Sequence, residues 1–272
     1  MFAKPIHLLF VTFAIPLTLG LTSLSGNAME KRPENAGRGH LFILSGQSNM
    51  TGGLETGFAE VVTRALGKDQ VTIVRSMKSG RGIRFWVRDY DLPESHPLHG
   101  KLTNGNGEEY PGLLQAARNA GDARAFKSVT FIWMQGESDA GRDLSVAYEK
   151  SFNTLRNQLK TDLGLEHMRF VIGRISDFGL HGESKAGWQR MRELQVRMAE
   201  SDRWGAWIDT DDLNGGDERN PQGDLHYPAE QSRALGERFG KKALEQLGVK
   251  SISSLDRSNA LMPLCADLSR IP

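Results

Sequence analysis

Five short apolar runs, each ending in a polar or glycine-containing turn, leave this chain few ways to fold. Residues 41–44, 71–74, 129–134, 170–175 and 206–209 are too short for ordinary helices. They are largely continuous rather than alternating, as expected of strands buried on both faces. Between them lie stretches of helical period. Phe58, Val61, Val62, Ala65 and Leu66 mark one over 58–66, Phe152, Leu155 and Leu159 mark another over 144–163, and a third covers 188–198. A last one carries Leu235, Phe239, Ala243 and Leu247 on one face. Strands alternating with helices predict an α/β domain with a central parallel sheet of about five strands, helices on both faces and right-handed crossovers. In such sheets the chemistry gathers at the carboxyl edge.

The first 28 residues read differently. One cation, Lys4, precedes an apolar stretch from Ile6 to Leu24, and the small-residue exit Gly26-Asn27-Ala28 follows. This is the pattern of a secretory signal peptide cut after Ala28, so a secreted or periplasmic protein is expected. Pro16 and Gly20 interrupt the run and no basic stop-transfer cluster follows, which argues against a stable membrane anchor. Residues 29–39 read as a linker, 40–248 as the folded domain and 249–272 as a C-terminal extension. Losing Lys4 from the 34 Lys+Arg balances the 33 Asp+Glu, so no nucleic-acid partner is implied. No partner protein is implied either. Cys265 is the sole cysteine, which excludes a disulfide framework and a thiolate zinc site.

Three strand ends carry candidate chemistry. The first strand runs into Ser45-Gly46-Gln47-Ser48-Asn49-Met50, where Ser48 stands just beyond a tight turn and could present its hydroxyl as a nucleophile. Taken alone, a serine there could equally cap the following segment. The second strand leads into Ser79-Gly80-Arg81-Gly82, whose glycines let backbone N–H groups approach an oxyanion, making Gly80 a candidate donor. Asn49, Arg84 and Trp86 are candidate substrate contacts, although Trp86 could as well be core. The third strand discharges into Gln135-Gly136-Glu137-Ser138-Asp139, where the Gln135 amide is placed to donate to a developing oxyanion and Glu137 adds a carboxylate. Far along the chain, Asp224-Leu225-His226-Tyr227-Pro228 opens the last helix, with Pro228 suited to a first turn. A histidine with a nearby carboxylate is what a serine nucleophile needs: a base near neutral pKa and an acid to fix its tautomer.

Other clusters read as ordinary. His96 and His99 sit among prolines in a long loop expected over 89–112, without a carboxylate at a metal-ligand offset. The acidic run 209–212 lacks the glycine and distal glutamate of a calcium loop and reads as a helix-free turn. No metal or cofactor is expected.

Gly46-Gln47-Ser48-Asn49-Met50, then Gly80 with Ile83 and Trp86, then Trp133-Met134-Gln135-Gly136-Glu137-Ser138-Asp139, then Asp224-Leu225-His226-Tyr227, occur in the order shown by the SGNH hydrolase superfamily. In detail the chain resembles the sialate O-acetylesterase and acetylxylan esterase branch, similar to carbohydrate esterase family 6, over residues 39–248. The resemblance implies a flavodoxin-like three-layer α/β/α sandwich and metal-free deacetylation of O-acetylated carbohydrates through an acyl-enzyme. By position it implies Ser48 as nucleophile, His226 as base, and Gly80 with the Ser48 N–H in the oxyanion hole, where Gln135 replaces the asparagine of the wider superfamily. The superfamily's acid, three residues before the histidine, falls on Gly223, so Asp224 is the expected third member and Glu137 the alternative. The rival functions are a general short-chain esterase or lipase on the same residues and a catalytically idle sugar-binding protein. Neither the particular sugar nor the oligomeric state follows from the sequence.

Overall fold

The computed structural model describes residues 37–249 apart from 217–219 and 221–222. The expected signal peptide, most of the expected linker, nearly all of the C-terminal extension and Cys265 lie outside the described residues. Five parallel strands, β1 (Arg38–Gly46), β2 (Val71–Met77), β3 (Phe126–Met134), β4 (Arg169–Gly173) and β5 (Gly205–Ile208), pair in the order β2-β1-β3-β4-β5. Six helical segments connect and follow them: α1 (Gly52–Leu66), α2 (Tyr110–Asn119), the single turn α3 (Glu137–Ala140), α4 (Ser145–Asp162), α5 (Lys185–Glu200) and α6 (Ala229–Gln246). This is the expected α/β/α sandwich.

Each face of the sheet has its own core, set by the strand period of two. Phe42 and Leu44 of β1 point to one side and pack with Leu54, Phe58 and Val62 of α1 and with Leu235, Phe239 and Ala243 of α6. Leu41 and Ile43 point to the other and pack with residues of α2, α4 and α5, among them Leu113, Phe152, Leu155 and Met191. All four strand residues are fully buried. At about 25 cal/mol per Å² of apolar surface, burial on both faces is the main force holding β1 at the centre.

The connections from β1 to β2 and from β2 to β3 leave on opposite faces, through α1 and α2, so the strand order reverses at β1 and β3. Open α/β sheets bind their ligands in the crevice outside such a reversal. Two glycines make the reversal possible. Gly46 takes φ +145° and a Cβ there would lie 1.9 Å from the Met134 carbonyl, because the Gln47 N–H bonds that same carbonyl at 2.9 Å. Gly136 takes φ +149°, with the Gln195 Nε2 only 2.6 Å from where a Cβ would stand. Neither position has room for a side chain.

Several boundaries differ from the sequence expectations. Strand β1 starts at Arg38, so the expected linker ends two residues early. The flexible stretch expected at Thr51-Gly52-Gly53 is the start of α1: Thr51 is its N-cap, its side chain accepting from the Leu54 N–H at 3.1 Å. Ser48 is therefore free of capping. The long loop ends at Glu109, not Gly112, because Pro111 sits in the first turn of α2, where a missing N–H costs nothing.

Candidate active site

Ser48 follows β1 by two residues and His226 precedes α6 by three. The fold brings them together across the carboxyl edge: the Ser48 Oγ lies 2.9 Å from the His226 Nε2. With Nε2 unprotonated, the hydroxyl donates to it, the arrangement in which an imidazole activates a serine. His226 is exposed and Ser48 half-buried, so the pair opens to solvent.

The N–H of Ser48 and the N–H of Gly80, in the turn after β2 with φ +70°, bond no other group among the described residues. That turn is tied to β1 by the Lys78 N–H donating to the Gly46 carbonyl at 3.1 Å. Both amides remain available to a developing negative charge at the strand ends.

Gln135 departs from expectation. It is fully buried, and its Nε2 donates to the Asp139 Oδ2 at 2.5 Å, to the Arg81 carbonyl at 3.2 Å and to the Gln47 Oε1 at 3.2 Å. The amide is committed to protein acceptors instead of facing an oxyanion. Its backbone carbonyl is equally engaged, accepting from the Tyr148 hydroxyl and the Gln195 Nε2, both at 2.8 Å. Gln135 thus ties the end of β3 to the turn after β2. Asp139 completes the tie: its Oδ2 also accepts from the Ile83 N–H at 2.9 Å, and burial raises its carboxyl to about 6.

The expected acid fares no better. Asp224 is exposed, and its carboxylate has no hydrogen bond and no ion pair among the described residues. Its own N–H bonds the Asn214 carbonyl at 2.7 Å, which fixes the backbone without turning the side chain to the imidazole. Glu137, the alternative, is buried and accepts from the Asn49 Nδ2 at 2.7 Å; burial raises its pKa. Neither carboxylate bonds the His226 ring.

Two of the three expected substrate contacts are interior. Trp86 is 1% exposed and packs edge-on against Trp133, ring centroids 5.2 Å apart, as core. Asn49 is 2% exposed: its Nδ2 donates to the Glu137 Oε1 and to the Leu225 carbonyl at 3.1 Å, and its Oδ1 accepts from the Tyr227 N–H at 3.4 Å. It faces the His226 loop, not solvent. Arg84 is half-buried over the Phe85 ring and bonds the Asn104 carbonyl and the Asn106 Oδ1, pinning the long loop. Sequence reasoning missed Gln47, whose Oε1 also accepts from the Ser138 N–H at 3.3 Å, and assigned no role to Asp139. The rings of His96 and His99 bond the Asp143 and Leu92 carbonyls, and Asp209, Asp211 and Asp212 pair with Arg174, Arg192 and Arg238. The acidic run is not helix-free: Asp211–Leu213 forms one 3-10 turn.

A serine–histidine pair at the switch point of a parallel sheet, with free backbone donors beside it, is the apparatus of a serine hydrolase. Residues 52–245 match the family described as carbohydrate esterase, sialic acid-specific acetylesterase, and the chain belongs to that family. The matched stretch begins just after Ser48 and takes in Gly80, Gln135, Glu137 and His226.

Solved structures share the fold. A carbohydrate acetylesterase from Xanthomonas citri is 17% identical with a TM-score of 0.55, over 77% of this chain and 56% of that one. The chain therefore spans little more than half of that protein. A protein from Arabidopsis thaliana is also 17% identical at a TM-score of 0.55, over 76% of this chain and 98% of its own. A carbohydrate esterase family 3 protein from Talaromyces cellulolyticus is 10% identical at a TM-score of 0.50, over 77% and 99%. No curated protein sequence matches significantly.

Proposed function

We propose that this protein is a serine esterase that removes O-acetyl groups from carbohydrates. The observation that carries the reading is the 2.9 Å contact between the Ser48 Oγ and the His226 Nε2 at the sheet's switch point. Membership of a carbohydrate esterase family supports the acetyl ester of a sugar as substrate. His226 takes the Ser48 proton as Oγ attacks the acetyl carbonyl, and the resulting oxyanion is met by the Ser48 and Gly80 N–H groups. Collapse expels the sugar oxygen, which takes the proton from His226, and leaves acetyl-Ser48. Water, deprotonated by His226, then attacks the acyl carbon and releases acetate, restoring the free serine.

The test is acetate release from acetylated xylan, O-acetylated sialic acid and simple aryl acetates, with Ser48→Ala beside the wild type. Turnover of a sugar acetate that Ser48→Ala abolishes is expected. Preference for long acyl chains would favour a general lipase, and binding of the sugar without turnover an idle sugar-binding protein. Residues 1–28 support export, and an N-terminus beginning at Met29 in the mature protein is the expected result. No helix among the described residues is long and apolar enough to cross a membrane.

A further inference from the structure

The esterase reading leaves unexplained how His226 is oriented, since neither Asp224 nor Glu137 bonds its ring. The backbone around it gives an answer. Asn49, the residue after the nucleophile, holds both neighbours of the histidine with one amide: its Nδ2 donates to the Leu225 carbonyl at 3.1 Å and its Oδ1 accepts from the Tyr227 N–H at 3.4 Å. The second Nδ2 hydrogen goes to the Glu137 Oε1 at 2.7 Å. Because the Glu137 Oε1 is the acceptor, that bond determines which end of the Asn49 amide faces each way. Reversing the amide would set oxygen against oxygen at Glu137 and at Leu225, and N–H against N–H at Tyr227. Asn49 and Glu137 are 2% and 5% exposed, so water does not compete.

Among the described residues the Asp224 N–H also anchors the start of the loop on the Asn214 carbonyl at 2.7 Å, two residues before His226. Thr210 accepts from the Tyr227 hydroxyl at 2.8 Å, which fixes the neighbouring side chain but not the His226 backbone. Ser48 and Asn49 are covalently adjacent, so whatever holds Asn49 to the loop also fixes the distance between nucleophile and base.

We propose that Asn49 and Glu137 act together as positioning residues that hold His226 against Ser48 through the backbone on both sides of the histidine, in place of a carboxylate on the ring. Glu137 orients the Asn49 amide, Asn49 orients the loop, and the loop sets the 2.9 Å contact. This rests on the esterase reading, yet makes a claim of its own: charge at residue 137 is dispensable and a hydrogen-bond acceptor there is not. It separates the site from one in which Glu137 is the triad acid.

The test compares Glu137→Gln, Glu137→Ala, Asn49→Ala and the double alanine variant. Misplacing a catalytic group by about 1 Å costs on the order of 10²-fold, and kcat should fall by that much in both single alanine variants, with KM within about threefold. The double variant should lose no more than either single one, because the two residues act as a unit. Glu137→Gln keeps an acceptor for Asn49 and should stay within about tenfold of wild type. If Asn49→Ala does not fold, the contrast between Glu137→Gln and Glu137→Ala carries the same decision.

Two readouts do not depend on the natural substrate: the rate at which a fluorophosphonate labels Ser48, and hydrogen exchange of the Tyr227 N–H. Labelling should slow alongside kcat, and Tyr227 exchange should speed up in Asn49→Ala and Glu137→Ala but not in Glu137→Gln. A wild-type protein that hydrolyses no acetyl ester would end the esterase reading, while Tyr227 exchange would still decide the clamp. Unchanged exchange in Asn49→Ala, or alanine variants with wild-type labelling rates, would overturn the proposal. So would Glu137→Gln falling as far as Glu137→Ala, which would put the charge itself at work on the imidazole.

Discussion

Asp139 offers the sharpest quantitative test of the buried polar layer beneath Ser48. Both of its hydrogen bonds fall on one oxygen, Oδ2, which accepts from the Gln135 Nε2 and the Ile83 N–H, while Oδ1 is buried without a partner among the described residues. Burial raises this carboxyl from an ordinary 3.8 to about 6. The folded protein therefore holds the proton more tightly than the unfolded chain does. Stability is greatest below pH 3.8 as far as this group is concerned, and it falls as the pH rises through 6. At about 1.4 kcal/mol per unit, the loss is about 3 kcal/mol. Replacing Asp139 with Asn leaves an oxygen at the Oδ2 position, keeping both bonds, and puts an NH₂ where the unpartnered oxygen was. Asp202, Asp209 and Asp212, lowered, affect both proteins alike and cancel in the difference, whereas Glu137, raised by burial and also by the Asp139 charge, is eased in the variant, which adds to the gain in the same direction. Urea unfolding of both proteins at pH 4 to 7.5 should show the variant gaining on wild type by about 2–3 kcal/mol across that range. A difference that stays flat with pH would mean that Asp139 does not retain its proton. A variant less stable at every pH would mean that the two N–H donors require a full charge.

The other predictions follow from single residues. Asp224→Asn should keep kcat within about tenfold of wild type, because its carboxylate makes no hydrogen bond or ion pair among the described residues; a loss near 10⁴, the cost of a true triad acid, would show that it reaches His226 during turnover. Trp86→Ala should cost about 3–5 kcal/mol by chemical denaturation, as for any large buried aromatic, while KM for a sugar acetate stays within about twofold; a KM change without a stability change would return Trp86 to the pocket wall. Activity should survive exhaustive dialysis against a chelator, since the His96 and His99 rings bond backbone carbonyls and the acidic run is paired with arginines; a rate that falls and returns with added zinc or calcium would refute this.

How much of this was legible depends on which physical signal each residue carries. The central strands β1, β3 and β4 declare themselves because burial on both faces demands unbroken apolar runs, and β1, β2 and β3 differ from expectation mainly at their ends, where the exposed Arg38 and the half-buried Met77 join the pairing. Helix α2 was readable in principle from Tyr110, Leu113 and Ala117, but Pro111 and Gly112 in its first turn resemble a loop. Ser48 and His226 were nameable together, because a serine just past a strand end gains meaning from a histidine with a nearby carboxylate at the start of the last helix. The direction of a polar side chain is another matter. Gln135 stands at the strand end where an oxyanion donor would, yet it turns inward because Asp139, one helical turn later, offers a buried acceptor. Nothing local to either residue encodes that choice. Asn49 reads as a surface amide until the loop from residue 223 onward folds back over it from nearly 180 positions away.

The same buried layer explains why this edge of the sheet can act as one body. Four segments that share no secondary structure meet there: the end of β1 through Gln47 and Asn49, the turn after β2 through the Arg81 carbonyl and the Ile83 N–H, the end of β3 through Gln135, Glu137 and Asp139, and the loop before α6 through Leu225 and Tyr227. Buried side chains hydrogen-bond across all four, beside the backbone bonds from the Gln47 N–H to the Met134 carbonyl and from the Lys78 N–H to the Gly46 carbonyl. The layer is incompletely satisfied, since the Gln135 Oε1, Glu137 Oε2 and Asp139 Oδ1 are buried without partners among the described residues, and each such atom costs about 1–3 kcal/mol. An apolar layer would avoid that cost, but it would leave the nucleophile, the Gly80 turn and the histidine loop without the directional side-chain bonds that join them to one another. Hydrogen bonds fix direction as well as distance, and a serine and an imidazole 2.9 Å apart need both. The stability lost in this layer is thus the physical counterpart of the geometry gained above it, and variants that relieve it, such as Asp139→Asn, should show whether the two can be separated.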